Sequence, residues 1–165
     1  MQPRRSRLPD LGPRGEGWVL GQLALLGLAF VVPLPGISLL APDGLASWLA
    51  VVAGASALLL AGVVFALAVR GLGPSLTPLP RPRDEAELVQ SGIYRRIRHP
   101  IYASLILAAL GWSTLTSSVP AVGAAALLAL FLDAKARREE GWLLDRYPNY
   151  AAYQRRTKRF LPGIY

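Results

Sequence analysis

A chain of 165 residues that is 53% hydrophobic and only 17% charged has too little polar surface to cover an ordinary soluble core of its size, so a membrane protein is expected. The absence of cysteine excludes disulfides, a catalytic thiol and thiolate metal sites, and one histidine cannot build a multi-histidine metal cage. The net charge of +8 sits beside apolar runs and not on a separate polar domain, which favours anionic lipid headgroups over nucleic acid as its partner.

Crossing about 30 Å of hydrocarbon takes roughly 20 helical residues. Four runs are candidates: 18–40, 45–69, 101–117 and 119–132, the last two short enough to borrow a turn from their flanks. Pro33, Pro35 and Gly36 should bend or end the first helix early. The first run lacks a short apolar core followed by a small-residue cleavage site, so it is expected to be retained. All 18 Lys and Arg residues precede the first run, lie between the second and third, or follow the fourth. The short connections 41–44 and 116–120 hold none, so the positive-inside rule places both termini and the 70–100 loop in the cytoplasm. The expected architecture is all-α: an integral-membrane bundle of about four transmembrane helices, with a cytoplasmic cap made by the 71–100 loop and the C-terminal tail. The whole chain, 1–165, reads as one membrane domain, with a basic N-terminus at 1–17, a first helical hairpin at 18–69 and a second half at 71–165. Sixteen arginines against two lysines, with abundant Ala, Gly and Pro, fit a GC-rich bacterial genome and hence a bacterial inner membrane.

Prolines at 74, 78, 80 and 82 favour extended backbone in the 71–91 loop, a stiff strap. Pro100 suits the first turn of the third helix, and Arg95, Arg96, Arg98 and His99 at its mouth form an anion site together with the free N–H groups of that turn. At the other end of the helical pair, Glu139 and Glu140 are expected near a helix C-terminus, where the dipole disfavours them unless Arg137 and Arg138 compensate. The tail mixes Trp142, Tyr147, Tyr150, Tyr153 and Phe160 with basic residues, as suits a segment in the headgroup region. Singly, each feature has an ordinary reading: a lipid-contacting collar, a salt-bridged helix end, an aromatic belt. Together, a positive helix mouth and a doubly negative helix end on one side of a bundle suit a ligand with an anionic and a cationic end.

The order "LVQSGIYRRIRHPIYASL", an apolar hairpin, "REEGWLL" and "YPNYAAYQRRTKRFLPG" resembles the isoprenylcysteine carboxyl methyltransferase and phospholipid methyltransferase group of integral-membrane enzymes, over about residues 71–163. The resemblance implies an S-adenosyl-L-methionine site on the cytoplasmic side, with Tyr94, His99, Pro100, Tyr102, Glu139 and Glu140 binding the cofactor and His99 and Arg98 catalytic. Tyr150, Tyr153 and Arg156 match more loosely, as a substrate or cofactor cap. Ser104 stands where members of the group often carry glycine. The implied ligand is chemically consistent, its carboxylate suiting Arg98 and His99 and its ammonium and sulfonium suiting the glutamates. The expected reaction is in-line methyl transfer to a hydrophobic or amphiphilic acceptor, a prenylcysteine-like carboxylate or a lipid headgroup, with no metal. A carboxylate acceptor needs no base, whereas an amine or thiol must lose a proton. A small thiol or amine acceptor, or a non-catalytic lipid-binding scaffold, are the alternatives, and oligomeric state is left open. Small residues on the third and fourth runs, among them Ala103, Ala108, Gly111 and Ala124, are expected to line helix contacts or an acceptor entry.

Overall fold

The computed structural model describes residues 8–33, 44–77, 79–81 and 87–165. These residues form helices α1 (Glu16–Val31), α2 (Gly44–Leu72), α3 (Pro100–Leu115), α4 (Val119–Arg146) and α5 (Tyr150–Arg156), with 3-10 turns at Gly73–Ser75 and Gly92–Arg95. Among the described residues there is no sheet, only an isolated parallel bridge between Ile97 and Lys158.

Each boundary has a local cause. Gly15, at φ 81, turns the chain into α1. That helix is shorter than the apolar run predicts: it stops at Val31, two residues before Pro33, whose ring cannot follow a helical turn. The rest of the run, 34–40, and most of the connection 41–44 lie outside the described residues, as do Pro78 and Pro82 of the expected strap. Pro100 occupies the first turn of α3, where its missing N–H costs nothing. The hairpin to α4 turns on Ser117, at φ 48, and Ser118 caps α4 by accepting the Ala121 N–H at 3.3 Å. α4 outruns its apolar run and continues as one helix to Arg146, so Glu139 and Glu140 lie before its final turn and the expected dipole penalty does not apply.

α2 packs against α3 and α1 against α4, with α3 and α4 joining the two pairs. The α2–α3 contact is close because of two glycines: a Cβ on Gly54 would lie 2.6 Å from the Leu115 nitrogen and 2.7 Å from the Gly111 oxygen. The remaining core is mostly small, with Ala29, Ala109, Ala124 and Ala125 around Leu128 and Leu132. Gly111 and Ala124 are thus helix contacts, one of the two roles expected of them. Trp112 stacks on Phe30 and donates its indole N–H to the Phe30 carbonyl at 3.1 Å.

The large apolar side chains point outward. Leu20, Trp48, Leu59 and Leu130 are more than half exposed, and only 11% of the apolar stretch of α2 is buried within the molecule. In water such a surface is a severe liability, whereas hydrocarbon solvates it. α2 and α4 are long and apolar enough to cross a membrane; α1 and α3, 16 residues each, are shorter apolar helices.

Candidate functional site

At one end of the bundle the tail docks on the mouth of α3. Arg98 N donates to the Lys158 carbonyl at 2.8 Å, His99 N to the Arg159 carbonyl at 3.0 Å, and Lys158 N back to Arg96 at 3.1 Å. Below this clasp lies Glu140, its side chain only 4% exposed. Its carboxylate accepts from Arg98 Nε (2.9 Å), Gln154 Nε2 (3.0 Å) and both Nε (3.2 Å) and Nη2 (3.0 Å) of Arg159, and lies 3.2 Å from His99 Nε2. Arg98 also donates to the carbonyls of Gln154 at 3.1 Å and Thr157 at 2.5 Å, and Arg159 to Asp133 at 2.7 Å. Burial works against the Arg159 charge, but Glu140 and Asp133 outweigh it and hold the guanidinium protonated. The glutamate pair is therefore compensated from the α3 mouth and the tail. Arg137 and Arg138, the expected partners, bind Asp133 and Asp10 instead.

Glu139, the adjacent residue, does something else. Successive helical residues point about 100° apart, so Glu139 faces a cavity of about 500 Å³ while Glu140 faces the tail. Glu139 is 24% exposed, accepts the Tyr102 hydroxyl at 2.8 Å and lies 3.8 Å from His99 Nδ1. The His99 and Tyr102 rings stack at 5.3 Å and 4°, and Phe160 closes the edge of the imidazole at 6.3 Å. The cavity is polar at its base, with Arg98, His99, Tyr102, Lys135, Glu139 and Tyr150, and apolar along walls that include Val19 and Leu23 of α1 and Phe65 and Val69 of α2.

Among the described residues, the Tyr150 hydroxyl and the Lys135 ammonium are incompletely satisfied polar groups of this cavity. The Tyr150 hydroxyl is buried and, among the described residues, without a hydrogen-bond partner, a costly state for a side chain that lines a cavity. The Lys135 ammonium, on a residue only 1% exposed, donates to Gln22 Oε1 at 2.6 Å and sits 5.1 Å from the centre of the Tyr102 ring.

Of the residues predicted from sequence, Tyr94, Arg98, His99, Pro100, Tyr102, Glu139, Tyr150 and Tyr153 line the cavity. Glu140 lies behind it. Arg156 is outside, bonded to Gln90 on a separate surface cleft with Arg95. Tyr153 donates to the Tyr94 carbonyl at 2.7 Å and Tyr94 to the Ala68 carbonyl at 3.3 Å, which ties α5 to the loop and the loop to α2. Burial pushes the Tyr153 phenol up to about 12, and those of Tyr94 and Tyr150 higher, so all three remain donors at neutral pH. Ser104 is buried, bonds the Ile101 carbonyl of its own helix at 2.6 Å, and is not part of the cavity wall. Sequence reasoning missed Gln22, Lys135, Gln154 and Arg159. Two carried a signal: Gln22 is the one amide in the first apolar run, and Lys135 is one helical turn before Glu139. Among the described residues, no group of three or more His, Cys, Asp or Glu is arranged to hold a metal ion.

Among the described residues, an all-helical bundle with outward apolar side chains, two helices long and apolar enough to cross a membrane, and a cavity of about 500 Å³ lined by polar and apolar residues has the character of a membrane protein. The phospholipid methyltransferase profile matches residues 49–150, well over half of the chain, and the protein belongs to that family. It is also similar to the cobalt-zinc-cadmium resistance protein CzcN of Cupriavidus metallidurans, at 38% identity over 83 residues, covering 50% of this chain and 38% of that protein. The nickel-cobalt-cadmium resistance protein NccN of Alcaligenes xylosoxydans xylosoxydans is 34% identical over 83 residues, 50% of this chain and 39% of that protein. The similarity thus spans well under half the length of either relative.

Proposed function

We propose that this protein is an integral-membrane, S-adenosyl-L-methionine-dependent methyltransferase acting by in-line displacement on a hydrophobic or amphiphilic acceptor, a prenylcysteine-like carboxylate or a lipid headgroup, at the cytoplasmic face. The observation that carries this reading is the cavity, whose polar base joins apolar walls contributed by membrane-type helices.

The donor set fits the cofactor. Glu139 presents a carboxylate to the cavity for an ammonium or sulfonium, and the Tyr150 hydroxyl offers a donor that has no partner among the described residues. When bound, the cofactor supplies an electrophilic methyl group on a sulfonium. The chain's own residues align the reactants and exclude water. His99, stacked on Tyr102 and held between Glu139 and Glu140, is placed to orient the acceptor or to take a proton from an amine or thiol. Arg98 and Glu140 bond each other, and we assign them a positioning role: they fix the α3 mouth and the tail around the cavity.

The acceptor's route follows from the same walls. Leu23 on α1 and Phe65 on α2 line the cavity yet are 57% and 44% exposed, and their helices make their main contacts with different partners, α4 and α3. An apolar tail can therefore enter from the bilayer between α1 and α2. The deciding experiment is binding of labelled S-adenosyl-L-methionine to the purified protein in detergent, followed by turnover of acceptors that share a head and differ in tail length. Saturable binding and turnover rising with tail length are expected. No binding would leave the non-catalytic lipid-binding scaffold, and equal turnover of a tail-less acceptor would point to a small thiol or amine.

A further inference from the structure

Lys135 takes no part in the clasp around Glu140. A lysine ammonium has three donors and no acceptor, and among the described residues this one makes a single hydrogen bond, to Gln22. Its other support is the face of Tyr102. No carboxylate of a described residue lies within 4.0 Å, although Glu139 is one turn along the same helix. A buried ammonium held by one neutral amide is aimed by that bond and has donors left for an anion. Arg98 commits Nε to Glu140 and Nη1 to two carbonyls, whereas Lys135, among the described residues, commits one of its three donors and lines the same cavity.

Gln22 makes this more than a property of one helix. It belongs to α1, outside the region matched by the family profile, and it reaches across the cavity wall to a residue 113 positions away. A glutamate there would neutralise the ammonium; a leucine would release it. The neutral amide does neither.

We infer that Lys135 receives a carboxylate of the bound ligand, and that Gln22 is the positioning residue on α1 that holds it ready. The inference deepens the methyltransferase reading by naming a ligand group for that cavity, and it rests on that reading for the ligands to be offered. Two of them carry a carboxylate: the cofactor, in its methionine part, and an acceptor with an anionic head and an apolar tail.

The test uses the full chain in neutral detergent and two matched pairs of probes: S-adenosyl-L-methionine with its decarboxylated analogue, and oleate with oleyl alcohol. The wild type should bind the carboxylate member of at least one pair about tenfold more tightly, the scale of one charge-assisted contact. Lys135→Met should bring that ratio close to one and Lys135→Arg should preserve it. Gln22→Glu, which keeps the side chain's volume, leaves Lys135 in place and pairs its ammonium, guards against misfolding of the methionine variant and should reduce the ratio. Loss of the ratio in the nucleoside pair assigns Lys135 to the cofactor, and loss in the oleyl pair assigns it to the acceptor. A ratio that survives Lys135→Met and Gln22→Glu in both pairs, or affinities for all four probes that fall together, overturns the inference. If the wild type fails to bind the cofactor but discriminates oleate from oleyl alcohol through Lys135, the methyltransferase reading fails and this one stands. If the cofactor binds and neither ratio depends on Lys135, the reverse holds.

Discussion

Glu140→Gln is the sharpest perturbation available, because one neutralised oxygen leaves two guanidinium groups facing each other. Removing one partner from a buried ion pair costs about 3–5 kcal/mol. Here Arg98 retains the Gln154 and Thr157 carbonyls and Arg159 retains Asp133, so the low end, about 3 kcal/mol, applies. At about 2–4 °C per kcal/mol for a chain of this size, the unfolding midpoint should fall by about 6–12 °C. Glu139→Gln is the matched control: it is next in sequence and equal in chemistry, but 24% exposed, 3.8 Å from His99 Nδ1, and bonded by the Tyr102 hydroxyl, which an amide oxygen can still accept. Its cost should stay under about 1 kcal/mol. Thermal unfolding in detergent, read by tyrosine and tryptophan fluorescence, gives the midpoints, and limited proteolysis reports release of the 150–165 tail. Midpoints for the two variants within about 2 °C of each other, with the tail equally protected in both, would refute the assignment of Glu140 as the centre of the clasp.

The same pair separates in ligand binding, since Glu139→Gln should weaken S-adenosyl-L-methionine about tenfold with an unchanged midpoint, checked by equilibrium binding. Gly54→Ala should destabilise by about 1–3 kcal/mol, because even a methyl group meets backbone of α3 at 2.6–2.7 Å, and a midpoint equal to wild type would show that the α2–α3 contact is looser. Raised phenol pKa values mean that the stability contributed by burying neutral Tyr153, Tyr94 and Tyr150 is fully present below about pH 10 and is lost as pH climbs towards 12 and beyond; absorbance at the tyrosinate band, followed alongside unfolding, should show their ionisation only in that alkaline range. For topology, the chain's lack of native cysteine permits a direct assay: a cysteine at Ser118 should react with an impermeant thiol reagent added outside, and one at Ser75 should not.

The helices were legible because their causes are local. Long apolar runs, Pro33 ending α1 and Pro100 opening α3 act over a few residues each, through sterics and hydropathy that need no knowledge of the rest of the chain. The cluster around His99 was legible for a related reason: its polar residues stand at the mouths of apolar helices, where a polar group needs a partner or water. What the sequence could not decide was the pairing. Glu139 and Glu140 are identical letters in adjacent positions, and only the helical rotation between them, set against the docked tail, makes one a buried anchor and the other a cavity carboxylate. Arg137 and Arg138 are nearest in sequence to the glutamates, yet Arg98 and Arg159 take Glu140, because a charge is satisfied by whatever is brought within about 3 Å in a medium that screens poorly. Gln22 and Lys135 meet across 113 residues for the same reason: the packing of α1 on α4 brings them together, and neither helix alone carries the information.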